Sequence, residues 1–216
     1  MNISAAPLGP FETNAYLIVS DDGKTCGVVD APKGAGAALL GEIKTRGLKL
    51  THLLITHGHW DHMCEAHLFA AAGAQVIAHR DDQQLIENIE AYKDRYQSMI
   101  PWLTDDDFCS VKVDRWVTEG DTLEACGFNF EIRHVPGHCP GSILFYAAQE
   151  KVAFTGDAIF AGSVGRTDLP NGNWNQLLEA IRQRIYTLPD DTILLPGHGG
   201  QTTVGREKKT NPYAKP

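Results

Sequence analysis

No stretch of this chain is apolar for long enough to span a bilayer, and its first ten residues hold no basic segment followed by an apolar run. Neither a membrane anchor nor an export signal is expected, and a cytoplasmic location is. Cysteine is sparse and shows no Cys-x-x-Cys pair: Cys26, Cys64, Cys109, Cys126 and Cys139 make an odd set of five. That fits free thiols in a reducing compartment and excludes a disulfide framework. Positive charge is in deficit, with 19 Lys and Arg against 27 Asp and Glu and a formal net charge of −8. The deficit argues against a nucleic-acid partner, although Arg206, Lys208 and Lys209 form a local basic patch that reads equally as a solvated tail. Internal repeats, low-complexity segments and linkers are also missing. With 43% hydrophobic and 21% charged residues, the chain is expected to fold as one domain over residues 1–216.

What the sequence does have is concentrated in Thr56-His57-Gly58-His59-Trp60-Asp61-His62. Three imidazoles and a carboxylate follow the apolar run Leu53-Leu54-Ile55, as if a strand delivered them into a loop. Neutral imidazole and carboxylate together suit zinc, iron or manganese. We read a metal site here.

Around that loop the pattern predicts alternating elements. Phe11 to Val19 and Cys26 to Asp30 read as a hairpin turned at Asp21-Asp22-Gly23-Lys24. Gly34 to Arg46 reads as a helix stopped by Gly47, Leu50 to Thr56 as a buried strand, and Met63 onward as a helix ending at Gly73. Gln75 to Ala78 is a predicted strand, and Asp81 to Asn88 starts a helix. Glu90 to Trp116 is irregular and rich in aromatics, which suggests a cap over a site or a helical linker. Phe128 to His134 alternates with period two, and Ser142 to Tyr146 pairs with Lys151 to Thr155. Asn173 and Gln176 resemble a capping box before the apolar stripe Leu177, Leu178, Ile181, Ile185 and Leu188, and Thr192 to Leu195 is the final strand.

The same event recurs where strands end: a Gly-containing loop carries a candidate ligand, namely His57 to His62, His138, Asp157 and His198. Ligands at strand ends converge on one sheet edge while the packed strands hold them still. His52 and His134, inside strands, are expected to make core or supporting hydrogen bonds. His67 and His79 are expected to be structural or exposed.

These residues, His57-x-His59-x-Asp61-His62, Pro136-Gly137-His138, Thr155-Gly156-Asp157 and Pro196-Gly197-His198, resemble the metallo-β-lactamase superfamily, most closely its glyoxalase II-like branch. The resemblance covers almost the whole chain and implies an α+β fold, a four-layer αββα sandwich. It implies that His57, His59 and His138 hold one divalent metal and Asp61, His62 and His198 a second, with Asp157 bridging. Zinc is the expected metal, with iron or manganese as alternatives. Asp61 and Asp157 would be the catalytic carboxylates, and a metal-bridging hydroxide the nucleophile. Arg166 falls where glyoxalase II has a basic residue on the glutathione moiety; the competing reading pairs it with Asp168, and the two are compatible. The segment after His198 resembles the shorter bacterial single-domain relatives rather than full-length glyoxalase II with its C-terminal helical domain. Cys139 stands where the family has a small polar residue, read as a passive isostere, a tuner of His138 or an oxidation-sensitive switch.

The implied activity is hydrolysis of a small-molecule thioester, resembling hydroxyacylglutathione hydrolase, with glutathione-linked thioesters among the expected substrates. The alternative within the same fold is a mononuclear Fe(II) persulfide dioxygenase using His57, His138 and Asp157. Hydrolysis of a β-lactam or another ester ranks below both, and a metal-stabilised scaffold without catalysis ranks last. Oligomeric state is not readable.

Overall fold

A computed structural model describes residues 1–216. The first sheet is laid down in sequence order: β1 (Asn2–Leu8), β2 (Thr13–Val19), β3 (Thr25–Val29), β4 (Lys49–Leu54), β5 (Gln75–His79) and β6 (Arg115–Val117). β1 to β3 pair antiparallel, and β3 to β6 pair parallel. The second sheet holds β7 (Thr122–Ala125), β8 (Phe128–His134), β9 (Ile143–Ala147) and β10 (Val152–Gly156). A short ribbon follows, β11 (Ile159–Phe160) with β12 (Ser163–Val164). Then β13 (Ile193–Pro196) pairs parallel to β10, and β14 (Thr202–Thr203) closes that edge.

Helices cover the outer faces. α1 (Gly41–Thr45), α2 (Trp60–Met63), α3 (Ala66–Ala71), α4 (Gln83–Glu87) and α5 (Lys93–Met99) lie on the first sheet's side, and α6 (Trp174–Ala180) and α7 (Val204–Thr210) on the second's. Period-two strands give each sheet two faces, and both faces are buried here. Tyr16, Ile18, Leu54 and Ile77 of one sheet meet Phe130, Phe145 and Phe154 of the other, with Tyr16 set edge-on to Phe154 at 5.3 Å. Leu17, Val28, Leu53 and Ile55 point outward under Met63 and Phe69, while Leu144, Ala153 and Leu194 lie under Leu177, Ile181 and Ile185. The αββα sandwich is the expected fold. No helix is long and apolar enough to cross a membrane.

The structure extends the sequence reading and corrects it in places. β1 and β7 escape it: β1 mixes small residues with Pro7 at the sheet's edge, and β7 alternates over only four residues. Trp116 belongs to β6 rather than to the irregular Glu90–Trp116 excursion, because three residues suffice to add a sixth strand. The capping box at Asn173 is half made: Asn173 Oδ1 accepts from Gln176 N at 3.1 Å, while the Asn173 amide donates to Gly137 O at 2.7 Å.

Strand direction is what builds the site. β3, β4 and β5 run parallel, and so do β8, β10 and β13, so their C-terminal ends share one edge of the sandwich. The start of antiparallel β2 lies at that edge too. Asn14 N donates to Gly197 O at 2.7 Å, and Tyr16 Oη donates to Pro196 O at 2.6 Å.

Candidate metal centre

β4 ends in Thr56 and the loop His57-Gly58-His59, and α2 then begins with His59 extended at its N-cap (ψ 144°) and Asp61 and His62 in its first turn. The shape of this loop depends on two buried carboxylates that the sequence reading missed. Asp30, just past β3 in a left-handed conformation (φ +58°), accepts from Thr56 N, Thr56 Oγ1 and His62 Nδ1, each at 2.8 Å. Asp82 accepts from Gly58 N at 2.7 Å and from Gly141 N at 2.6 Å, joining the His57–His62 loop to the His138 loop. Asp30 did leave a signal, since Val28-Val29-Asp30 is another strand ending in a carboxylate. Asp82 left none, because an acid in the first turn of a helix is commonplace.

All seven candidate ligands meet at the common edge. His57, His59 and His138 form one group of donor atoms, His57, His62 and Asp157 a second, and Asp61, His62 and His198 a third, each with its atoms within 4.8 Å of one another. His138 Nε2 lies 2.9 Å from His59 Nδ1 and 3.2 Å from His57 Nε2. Asp157 Oδ1 lies 3.2 Å from His62 Nε2, and Asp157 Oδ2 lies 3.4 Å from His198 Nε2 and 3.6 Å from His138 Nε2. Asp61 Oδ2 is 3.3 Å from His198 Nε2 and accepts from Thr13 Oγ1 at 3.0 Å.

The far nitrogens decide which ring atoms face inward. His138 Nδ1 donates to Arg166 O at 2.7 Å, His198 Nδ1 to Phe11 O at 3.0 Å, and His62 Nδ1 to Asp30. Thr56 Oγ1 gives its own proton to Asp30, so at 3.2 Å it accepts from His57 Nδ1. Each of these rings, when neutral, therefore presents a bare Nε2 to the centre. His57 Nε2 and His138 Nε2, both bare and 3.2 Å apart, repel each other unless a cation lies at their focus.

Electrostatics point the same way. Burial pushes His57 far below the usual imidazole range, and the neighbouring His62, His59 and His138 add to it. Burial, then His138, brings His59 down to about 3. On the other side carboxylates dominate. Burial opposes the charge of His62, but Asp157, Asp61 and Asp30 hold it well above its usual value. Burial likewise opposes His198, yet its contacts with Asp157 and Asp61 raise it to about 10. Burial works against ionised Asp61, but His62 and the His198 contact lower it to about 2. One half supplies neutral lone pairs and the other attracts positive charge. His62 Nε2 and Asp157 Oδ1 are buried 3.2 Å apart, and neither has a hydrogen-bond partner beyond that contact. The donor set fits metal ions.

Gly197 makes room for this arrangement. A Cβ there would lie 2.2 Å from Asp157 Oδ1 and 2.5 Å from His62 Cε1. Gly197→Ala is expected to push the Asp157 carboxylate out of place and to lower metal content by at least half, read by elemental analysis of the purified variant. Full metal content would show that the carboxylate position is not critical.

Arg166 lines the cavity over the centre, and its Nε and Nη2 donate to Asp168, each at 2.7 Å. The buried Cys139 thiol donates to the Asp82 oxygens at 3.1 and 3.2 Å, a contact that a small hydroxyl side chain there would also make. Burial and the adjacent Asp82 hold that thiol well above the ordinary cysteine range, so it remains protonated. His134 donates Nε2–H to Pro140 O at 2.7 Å and stacks on His79 at 4.1 Å, a supporting role for the His138 loop. Of the basic patch, Lys208 pairs with Asp190 at 2.6 Å.

Residues 8–198 match the family model described as the metallo-beta-lactamase superfamily. Hydroxyacylglutathione hydrolase GloC of Haemophilus influenzae is 41% identical over 216 residues, covering 99% of this chain and 98% of that protein. Among solved structures, the BLEG-1 B3 metallo-beta-lactamase superposes with a TM-score of 0.86 at 34% identity, covering 100% of both chains. TTHA1623 in a di-iron-bound form gives a TM-score of 0.82 at 33% identity, covering 97% of this chain and 99% of that one.

Proposed function

The chain belongs to the metallo-β-lactamase superfamily, and we propose on that footing that it is a metallo-hydrolase that cleaves a small thioester of the hydroxyacylglutathione type. One observation carries the reading: imidazole and carboxylate donors converge in two adjoining groups that share Asp157 contacts. His57, His59 and His138 would hold one divalent ion, Asp61, His62 and His198 the other, and Asp157 both. Zinc is the first choice, and the likeness to a di-iron protein supports iron as the second. Two such ions supply Lewis acidity and bring the pKa of coordinated water down to about 7.

The chain's own residues supply the rest. Asp30, Thr56, the Arg166 carbonyl and the Phe11 carbonyl fix the proton on the outer nitrogen of His62, His57, His138 and His198, so the inner nitrogens of these four rings keep their lone pairs. A cavity of about 300 Å³ opens above them, walled by Phe11, Trp60, Tyr96, Met99 and Ile100, which exclude water from one side of a bound acyl group. Arg166, braced by Asp168, faces the same cavity and suits an anionic part of the substrate. Thiols are acidic enough to leave with little protonation, so the cavity's lack of a dedicated acid is no obstacle. This reading also puts the enzyme in a reducing cytoplasm, where its free cysteines are stable.

The test pairs metal content per chain with S-lactoylglutathione hydrolysis, on protein purified without added metal. About two ions per chain with turnover is the expected result. One iron per chain, no hydrolysis, and oxygen uptake with glutathione persulfide would instead establish the mononuclear dioxygenase on His57, His138 and Asp157.

A further inference from the structure

No residue of helix α5 is fully buried, and of its residues Tyr96 packs against the core, where a helix on a domain normally sends in a whole stripe. Tyr92 at the N-cap and Arg95, Tyr96 and Met99 in the helix fall at i, i+3, i+4 and i+7 and so share one face. That face lines a narrow annex of about 50 Å³ beside His59, whose opposite wall is Leu169-Pro170-Asn171. His59, Tyr96, Met99 and Leu169 line both the annex and the larger cavity over the metal centre, so the two are continuous.

The annex has its own polar groups. Arg95 is exposed, and no carboxylate of the chain engages its guanidinium. Arg166, by contrast, spends two nitrogens on Asp168. On a chain of net charge −8, a free guanidinium at the mouth of a cavity is not part of a general basic surface. Asn171 faces it from a left-handed backbone conformation (φ +67°), a conformation that is tolerated by Asn and tends to occur where a loop is shaped for contact.

We propose that this face of α5 is the subsite for the thiol carrier, with the Arg95 guanidinium gripping a carboxylate at the carrier's far end. Tyr92 and Tyr96 flank the stem, and the scissile carbonyl lies at the inner end, beside His59. The fork geometry of guanidinium matches carboxylate bidentately, and the annex opens into the larger cavity, so a carrier's carboxylate end reaches Arg95 while its body lies in that cavity. The kinetic arm of the test rests on the hydrolase reading; the binding arm does not.

For the kinetic arm, the lactoyl thioester of glutathione is compared with that of N-acetylcysteamine, a carrier without a carboxylate. Arg95→Gln is expected to raise KM for the glutathione ester about tenfold, the loss of one charge-assisted contact, with kcat within about twofold. It leaves the N-acetylcysteamine ester unchanged, and Arg95→Lys falls between. For the binding arm, titration calorimetry of S-methylglutathione into the metal-loaded protein is expected to show the same roughly tenfold weakening. Equal effects on both esters, no effect on either, or no S-methylglutathione binding to the wild type would overturn the subsite. Binding that Arg95→Gln weakens, in a protein that hydrolyses neither ester, would uphold the subsite and overturn the hydrolase reading.

Discussion

Replacing Asp157 with alanine is expected to reduce thioester hydrolysis by at least about 10²–10³-fold, the scale on which losing one preorganised electrostatic group acts, and to lower metal content toward zero. Asp157 reaches imidazoles of both donor groups. Its oxygens lie 3.2 Å from His62 Nε2, 3.4 Å from His198 Nε2 and 3.6 Å from His138 Nε2. Without it, both donor groups keep their imidazoles but lose the negative charge that would offset two cations at close range. The burial that resists its ionisation is outweighed by His62 and His198, which hold it far below the usual carboxylate range. A neutral side chain there removes the strongest attraction for positive charge. Elemental analysis and a hydrolysis assay on the same preparation check it, and a variant retaining both metal and turnover would remove Asp157 from the ligand set.

The second large effect belongs to Asp30, which touches no substrate. Asp30→Ala strips the acceptor from Thr56 N, Thr56 Oγ1 and His62 Nδ1 at once. Leaving such buried donors unpaired costs about 1–3 kcal/mol each, so the variant is expected to unfold several degrees or more below the wild type. Asp30→Asn separates folding from function. Asn tolerates the left-handed backbone at this position (φ +58°) and can still accept from the Thr56 amide. It cannot serve as the anionic acceptor that sets the His62 proton on Nδ1. Metal affinity is therefore expected to fall roughly 10–100-fold, the usual effect of losing such a partner, with a much smaller change in melting temperature. An Asn variant with wild-type affinity would make Asp30 a purely structural residue.

The candidate ligands were legible because metal chemistry needs particular side chains at strand ends, and the sequence repeats that arrangement from His57 to His198. Long buried strands such as β2 and β10 were legible for the same kind of reason, continuous apolar character over a full strand length. β6 was not, because three residues carry too little pattern, and its pairing depends on β5 rather than on its own composition. Asp82 was not, because its partners, Gly58, Cys139 and Gly141, are brought to it by the packing of two sheets. The α5 face was not legible, because it lies in the stretch that reads as irregular and nothing in the order of its residues says which cavity it lines.

The junction between β2 and the loop after β13 also has a consequence for how the protein is made. Asn14 and Tyr16 bind the Pro196 carbonyl across 182 and 180 positions of sequence, and Thr13 bridges to His198. Contacts that distant form late and slowly. During translation the side chains of Asn14 and Tyr16 stay without these partners until residues 196–198 have been made. His198 is the last of the seven candidate ligands to join the donor set, long after His57, His59 and His138 are present in the chain.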